Sequence, residues 1–100
     1  MSRRPRQQWR LNLTGLAWKQ FNALSRDQKQ GVFDALLPLL ESVDPHNLPG
    51  VKKLKGKFEG WYRVRTGDHR VIYVAVTLPD DPRYRGDLHI LKISDRKDAY

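Results

Sequence analysis

Seven basic side chains, Lys52, Lys53, Lys55, Lys57, Arg63, Arg65 and Arg70, fall within nineteen residues that hold only two carboxylates, Glu59 and Asp68. A guanidinium is permanently charged and presents a planar fork of donors that fits phosphate oxygens. The spacing sharpens that chemistry. Gly67-Asp68 reads as a two-residue hairpin loop between extended segments at 61–66 and 69–76. With that loop, Arg65 faces Arg70, Arg63 faces Ile72 and Tyr62 faces Tyr73. Like charges directly opposite on a sheet cost up to about 1 kcal/mol unless an anion lies between them. Arg63, two residues from Arg65, adds a third guanidinium to the same face. The pattern predicts a phosphate cradle on one open β surface. For any single arginine the plainer alternative is a solvated surface charge, and it is the local density of cations that weighs against it.

Such a cradle needs a sheet, and a sheet needs cover on its other side. Trp9, Leu11 and Leu13 alternate with polar residues and predict a first strand at 8–13. Thr14 then caps a helix over 15–24, with Ala17, Phe21 and Leu24 along one stripe. Ser25-Arg26-Asp27-Gln28 has the form of a capping box and opens a second helix. Its apolar stripe is Val32, Phe33, Leu36, Leu37 and Leu40, and Pro38 either kinks or ends it. A Pro-containing loop at 43–50 leads to the basic run 51–57, then to the hairpin. A Pro- and charge-rich excursion at 78–87 joins the hairpin to a last strand at about 88–94. The order strand, helix, helix, strand, strand, strand predicts an α+β architecture. It is an antiparallel sheet of about four strands with two N-terminal helices packed on one face, leaving the other open. Residues 1–7, with Arg3, Arg4 and Arg6 around Pro5, read as a basic arm preceding a single domain at 8–100.

Composition bounds the rest. A formal charge of +8 on 100 residues attracts polyanions, whether nucleic acid or an acidic protein. With no cysteine the chain has neither a disulfide framework nor a thiolate metal site, as a reducing cytoplasm allows, and no metal or other cofactor is expected. No stretch approaches the roughly 20 apolar residues of a membrane span, so no membrane partner is expected. His69 alternates to the face opposite Arg70, Asp68 reads as a turn residue, and neither His46 nor His89 has a visible partner. Trp61 and Tyr84 could stack on bases, although a tryptophan beside a hairpin is more often a packing residue.

Four runs together resemble the RelE/ParE toxin superfamily, on its RelE-like branch. They are Val51-Lys52-Lys53-Leu54-Lys55-Gly56, Trp61-Tyr62-Arg63-Val64-Arg65, Gly67-Asp68-His69-Arg70-Val71-Ile72-Tyr73, and the closing Ile90-Leu91-Lys92-Ile93-Ser94-Asp95-Arg96-Lys97-Asp98-Ala99-Tyr100. The resemblance implies the toxin of a type II toxin–antitoxin system, a ribosome-dependent endoribonuclease that cuts mRNA. Its ribose 2′-hydroxyl attacks the scissile phosphate. It implies a cognate antitoxin, the ribosome and mRNA as partners, and a cytoplasmic location. The family's second-strand basic residues fall on Arg63 and Arg65, its third-strand arginine on Arg70, the basic residue after the last strand on Arg96 and the terminal tyrosine on Tyr100. Arg65 and Arg70 are then expected to stabilise the transition-state charge, Arg63 and Arg96 to grip flanking phosphates, and Tyr100 to stack on a base or move a proton. Lysine is common in the family where this chain has Arg63 and Arg65, and arginine is a poor proton acceptor. Lys52, Lys53, Lys55 and Lys57 are expected to hold RNA phosphates. Two other readings stay open: a ParE-like inhibitor of DNA gyrase and a catalytically inactive RNA-binding module.

Overall fold

The computed structural model describes residues 8–95. In chain order it contains β1 (Gln8–Leu13), α1 (Gly15–Asn22), α2 (Arg26–Glu41), β2 (Val51–Lys53), a 3-10 turn (Gly56–Phe58), β3 (Tyr62–Thr66), β4 (His69–Thr77) and β5 (Tyr84–Asp95). The arm at 1–7, Arg96 and Tyr100 lie outside the described residues.

Both helices start where side chains satisfy their first amides. Thr14 Oγ1 accepts from the Ala17 amide at 3.1 Å and donates to the Leu91 carbonyl at 2.9 Å, so the cap also ties α1 to β5. At α2 the Gln28 amide donates to Ser25 Oγ at 3.2 Å, and the Ser25 amide donates to Gln28 Oε1 at 2.9 Å, completing the capping box. Pro38 does not end α2, which runs on to Glu41. The proline is exposed while Leu36 and Leu39 on the inner stripe are buried, so packing carries the helix past the missing amide.

The class is α+β as the sequence predicts, with five strands in the order β1-β5-β4-β3-β2. Two features go beyond the expected sheet. The run 51–53 forms a short edge strand antiparallel to β3, with Lys52 opposite Arg63. A three-residue basic strand is a common way to leave an edge that does not recruit other strands. In addition β1 lies parallel to β5, whereas every other pair is antiparallel. Parallel neighbours need a long crossover, which the helices and the hairpin supply. The last strand starts at Tyr84, taking in part of the 78–87 excursion. Asp81 Oδ1 accepts from the Arg83 and Tyr84 amides at 2.7 and 3.0 Å and closes the loop that remains.

One face of the sheet meets the helices. Trp9, Val71, Tyr73, Leu88, Ile90 and Ile93 cluster there with Ala17, Val32, Leu36 and Leu39. At Gly86 the approach is so close that a Cβ would stand 2.1 Å from the Val76 carbonyl oxygen and 2.7 Å from the Trp9 ring. Beyond the end of β3, His46 takes over as partner of β4: its Nε2 accepts from the Ala75 amide at 2.9 Å, and its ring stacks on Tyr62 with centroids 3.8 Å apart. The Tyr73 hydroxyl donates to the Pro45 carbonyl, fastening the same loop. His46, for which the sequence offered no partner, is therefore held both at its Nε2 and on its ring face.

Candidate nucleic-acid interface

Val64 and Val71 face each other beneath the helices, so alternation turns their neighbours Arg63, Arg65, Arg70 and Ile72 to the helix-free side. The register is the one read from the loop: Arg65 opposite Arg70, Arg63 opposite Ile72, Tyr62 opposite Tyr73. Gly67 makes this possible. Its φ of 57°, followed by an ordinary φ at Asp68, is the signature of a type II′ turn, whose twist matches that of the flanking strands.

The strands on either side extend the surface into rows. Ser94 of β5 lies opposite Arg70, and Lys92 lies opposite Ile72. Lys52 of β2 lies opposite Arg63. One row is thus Arg65, Arg70, Ser94; the next is Lys52, Arg63, Ile72, Lys92. Arg65 is exposed, Arg70 half-buried, and Arg63 only 8% exposed. Neither Arg63 nor Arg65 has a carboxylate partner among the described residues. The Ser94 hydroxyl is buried with no hydrogen-bond partner among the described residues.

Lys92 escaped the sequence reading because strict alternation from Leu88 would seat Ile90, Lys92 and Ser94 on the same side as Leu88, under the helices. The β4–β5 ladder instead contains a bulge: Tyr73 pairs with Ile90 while Ile72 pairs with Lys92, leaving Leu91 as the extra residue. The bulge lets both Ile90 and Ile93 enter the core and turns Lys92 and Ser94 outward. A leucine, lysine, isoleucine succession in which two isoleucines stand three apart was the available signal.

The four lysines of the 52–57 run do not gather. Lys52 shares the face of Arg63, whereas Lys53 pairs with Tyr62 and belongs to the helix side. Lys55 precedes the 3-10 turn and Lys57 lies within it, its Nζ 5.2 Å from the centre of the Phe58 ring. Trp61, 38% exposed, leans on Phe58 at 5.7 Å. Arg96 and Tyr100 cannot be set beside these groups, since they fall outside the described residues. Of the histidines, His69 pairs with Thr66 at the hairpin end, and His89 lies on the helix-free face between Val74 and Asn12. No three His, Asp or Glu side chains among the described residues form a metal-binding group.

Elsewhere on this face an arginine is fully engaged. Arg10 Nε donates to Asp87 Oδ1 at 2.6 Å and Nη2 to Oδ2 at 3.2 Å. This hydrogen bond holds the Asp87 carboxyl below the usual carboxylate range and raises the Arg10 guanidinium. The same face therefore offers an anion Arg63 and Arg65, which no carboxylate engages among the described residues, at one end and a closed pair at the other.

No family model matches the chain, and a search of curated proteins finds no match. Solved structures are similar in fold. The toxin–antitoxin complex RelBE2 of Mycobacterium tuberculosis aligns at TM-score 0.67 and 20% identity over 92% of this chain and 95% of that one. A YoeB/ParE toxin from Agrobacterium tumefaciens aligns at 0.69 and 18%, over 86% and 97%. The archaeal RelE–RelB complex of Pyrococcus horikoshii aligns at 0.63 and 26%, over 91% and 98%.

Proposed function

Taking as premise a chain with the fold of the RelE/ParE toxin superfamily, we propose that this protein is the toxin of a type II toxin–antitoxin pair. We further propose that it is an endoribonuclease acting on mRNA held by the ribosome, and so in the cytoplasm. One observation carries the reading: Arg65, without a carboxylate partner among the described residues, stands opposite Arg70 on a helix-free sheet face, with Arg63 beside it. Like charges directly opposite one another are destabilising, and Arg65 stands to gain from a phosphate bound beside it.

In the proposed reaction the ribose 2′-oxygen forms a bond to the adjacent phosphorus while the bond from phosphorus to the 5′-oxygen breaks. The 2′-hydroxyl gives up its proton, the departing 5′-oxygen gains one, and a 2′,3′-cyclic phosphate remains. Arg65 and Arg70 neutralise the extra negative charge at phosphorus, and Arg63 holds the strand. A guanidinium accepts no proton at neutral pH, so these three residues act through charge and position. Arg96 and Tyr100 join the set on the strength of the sequence resemblance. The cognate antitoxin would be a small protein with an acidic segment that covers the cationic face.

Induced expression in bacteria, with transcript 5′ ends mapped, tests this. Growth arrest with new ends inside translated codons, abolished by Arg65→Ala with Arg70→Ala, is the expected result. Intact transcripts with impaired supercoiling would replace it with gyrase inhibition, and a folded protein producing neither would leave a binding module.

A further inference from the structure

The row next to the Arg65–Arg70 pair is itself cationic at both ends. Ile72, in its middle, is only 1% exposed although it stands on the side of the sheet that the helices leave open. Its cross-strand neighbours are Arg63, 8% exposed, and Lys92, half-buried. Long basic side chains cover apolar surface with their stems and keep the charged end at the rim. Lys92, like Arg63, has no carboxylate partner among the described residues. Two cations thus border one apolar residue, and Lys52 lies on the far side of Arg63.

We propose that Lys92, together with Arg63, holds a second phosphate of the same RNA strand, one nucleotide from the phosphate at Arg65 and Arg70. The proposal rests on the ribonuclease reading and extends it to the path of the substrate. Geometry supports it in two directions. Along the strands the two rows are two residues apart, roughly 6.6 Å, a distance that an extended single strand spans in one nucleotide step. Across the strands, the Arg63 and Lys92 backbones are separated by two strand spacings, roughly 10 Å, which two long side chains close upon one anion. The residue types divide the work. The planar guanidiniums of Arg65 and Arg70 suit a phosphate whose geometry must be fixed, while the rotatable ammonium of Lys92 suits a neighbour that need only be retained. The strand would then run parallel to β3 and β4, from the hairpin turn toward Trp61.

The test uses the full chain and 2′-O-methylated oligonucleotides, which cannot be cleaved. A dinucleotide carries one phosphodiester and a trinucleotide two. In the unaltered protein the trinucleotide should bind about tenfold more tightly. In Lys92→Ala that gain should largely disappear, and the slope of log K against log salt for the trinucleotide should fall by about 0.7, one single-strand phosphate contact. Lys92→Arg should restore both, Lys92→Glu should depress both further, and Arg10→Ala should change neither. Circular dichroism establishes that each variant is folded. An equal gain in the wild type and Lys92→Ala overturns the proposal, as does no gain in the wild type. So does normal oligonucleotide binding with weakened ribosome binding, which would assign Lys92 to a ribosomal phosphate. The two readings fail separately. Transcripts left uncut beside a lysine-dependent length effect would remove the nuclease, whereas cleavage without that effect would remove only this row.

Discussion

At the β1–β5 end of the helix-free face, Arg10 lies 2.6 Å from Asp87; at the β3–β4 end, Arg65 lies opposite another arginine. Both regions present a guanidinium on the same surface, facing a charged side chain of the neighbouring strand. The difference is one carboxylate. Where Asp87 stands across from Arg10 the charge is satisfied inside the protein and serves the join between two strands. Where no carboxylate among the described residues reaches Arg63 or Arg65, the charge is left open to an outside anion. Substitutions at the first end should therefore leave chemistry alone, and substitutions at the second should change chemistry with little loss of stability.

The largest effect tests the second half of that statement. Arg65→Ala with Arg70→Ala should reduce cleavage of translated transcripts at least about 100-fold, the scale on which a single transition-state donor is lost. Arg65→Ala alone should leave the melting midpoint unchanged or slightly raised, since it removes a repulsion of up to about 1 kcal/mol. Cleavage that survives, or a clear loss of stability in the single variant, would mean that Arg65 is structural.

Next comes Gly86, on the same strand as Asp87. An added Cβ would meet the Val76 carbonyl oxygen, a backbone atom that cannot rotate away, and the Trp9 ring. Gly86→Ala should destabilise by about 1–3 kcal/mol or more, read from chemical denaturation. Cleavage per folded molecule should stay the same, and a selective loss of activity would break the division between the two regions.

A smaller effect concerns the loop that carries His46. Its Nε2 accepts a hydrogen bond from the Ala75 amide, so the folded state needs the neutral ring; burial lowers its pKa, and nearby Asp44 offsets this only in part. The unfolded chain thus takes up the proton more readily than the folded one. Stability is complete above the ordinary value of 6.5 and declines as pH falls through it toward the lower folded value. Thermal melts at pH 7.5 and 5.5 should show that decline in the native chain and lose it in His46→Gln. Equal declines would assign the titration elsewhere.

How far these contrasts were legible in the sequence depends on whether they are local. The pairing of Arg65 with Arg70 follows from a two-residue loop, because turn geometry fixes register over the next few residues, and the capping box at Ser25 is likewise complete within four residues. Lys92 was hidden by a bulge, which exists to bring Ile90 and Ile93 together into a core assembled from distant parts of the chain. The β2 edge strand and the parallel join of β1 with β5 depend on partners far along the chain, and so does the imidazole that completes β4 at Ala75. Such contacts leave no periodic trace at either participant.

The smallest effect is also the most direct test of the carboxylate's part. Asp87→Asn keeps the side chain's shape while removing the charge that engages Arg10. Because Asp87 titrates below the usual range, its contribution is present above the ordinary value of 3.8 and is lost as pH falls below it. The variant should melt close to the native midpoint at neutral pH, as exposed pairs generally do, and should differ from it less still in acid. It also releases Arg10 as a free cation on the surface that carries Arg63 and Arg65. Binding of single-stranded RNA should then become slightly more salt-sensitive, by up to about 0.7 in the slope if Arg10 gains one phosphate contact. Cleavage should not increase, because Arg10 stands three strands from Arg65 and too far to share its phosphate. A rise in cleavage would mean that the total charge of the face, rather than the arrangement at the hairpin, governs the chemistry.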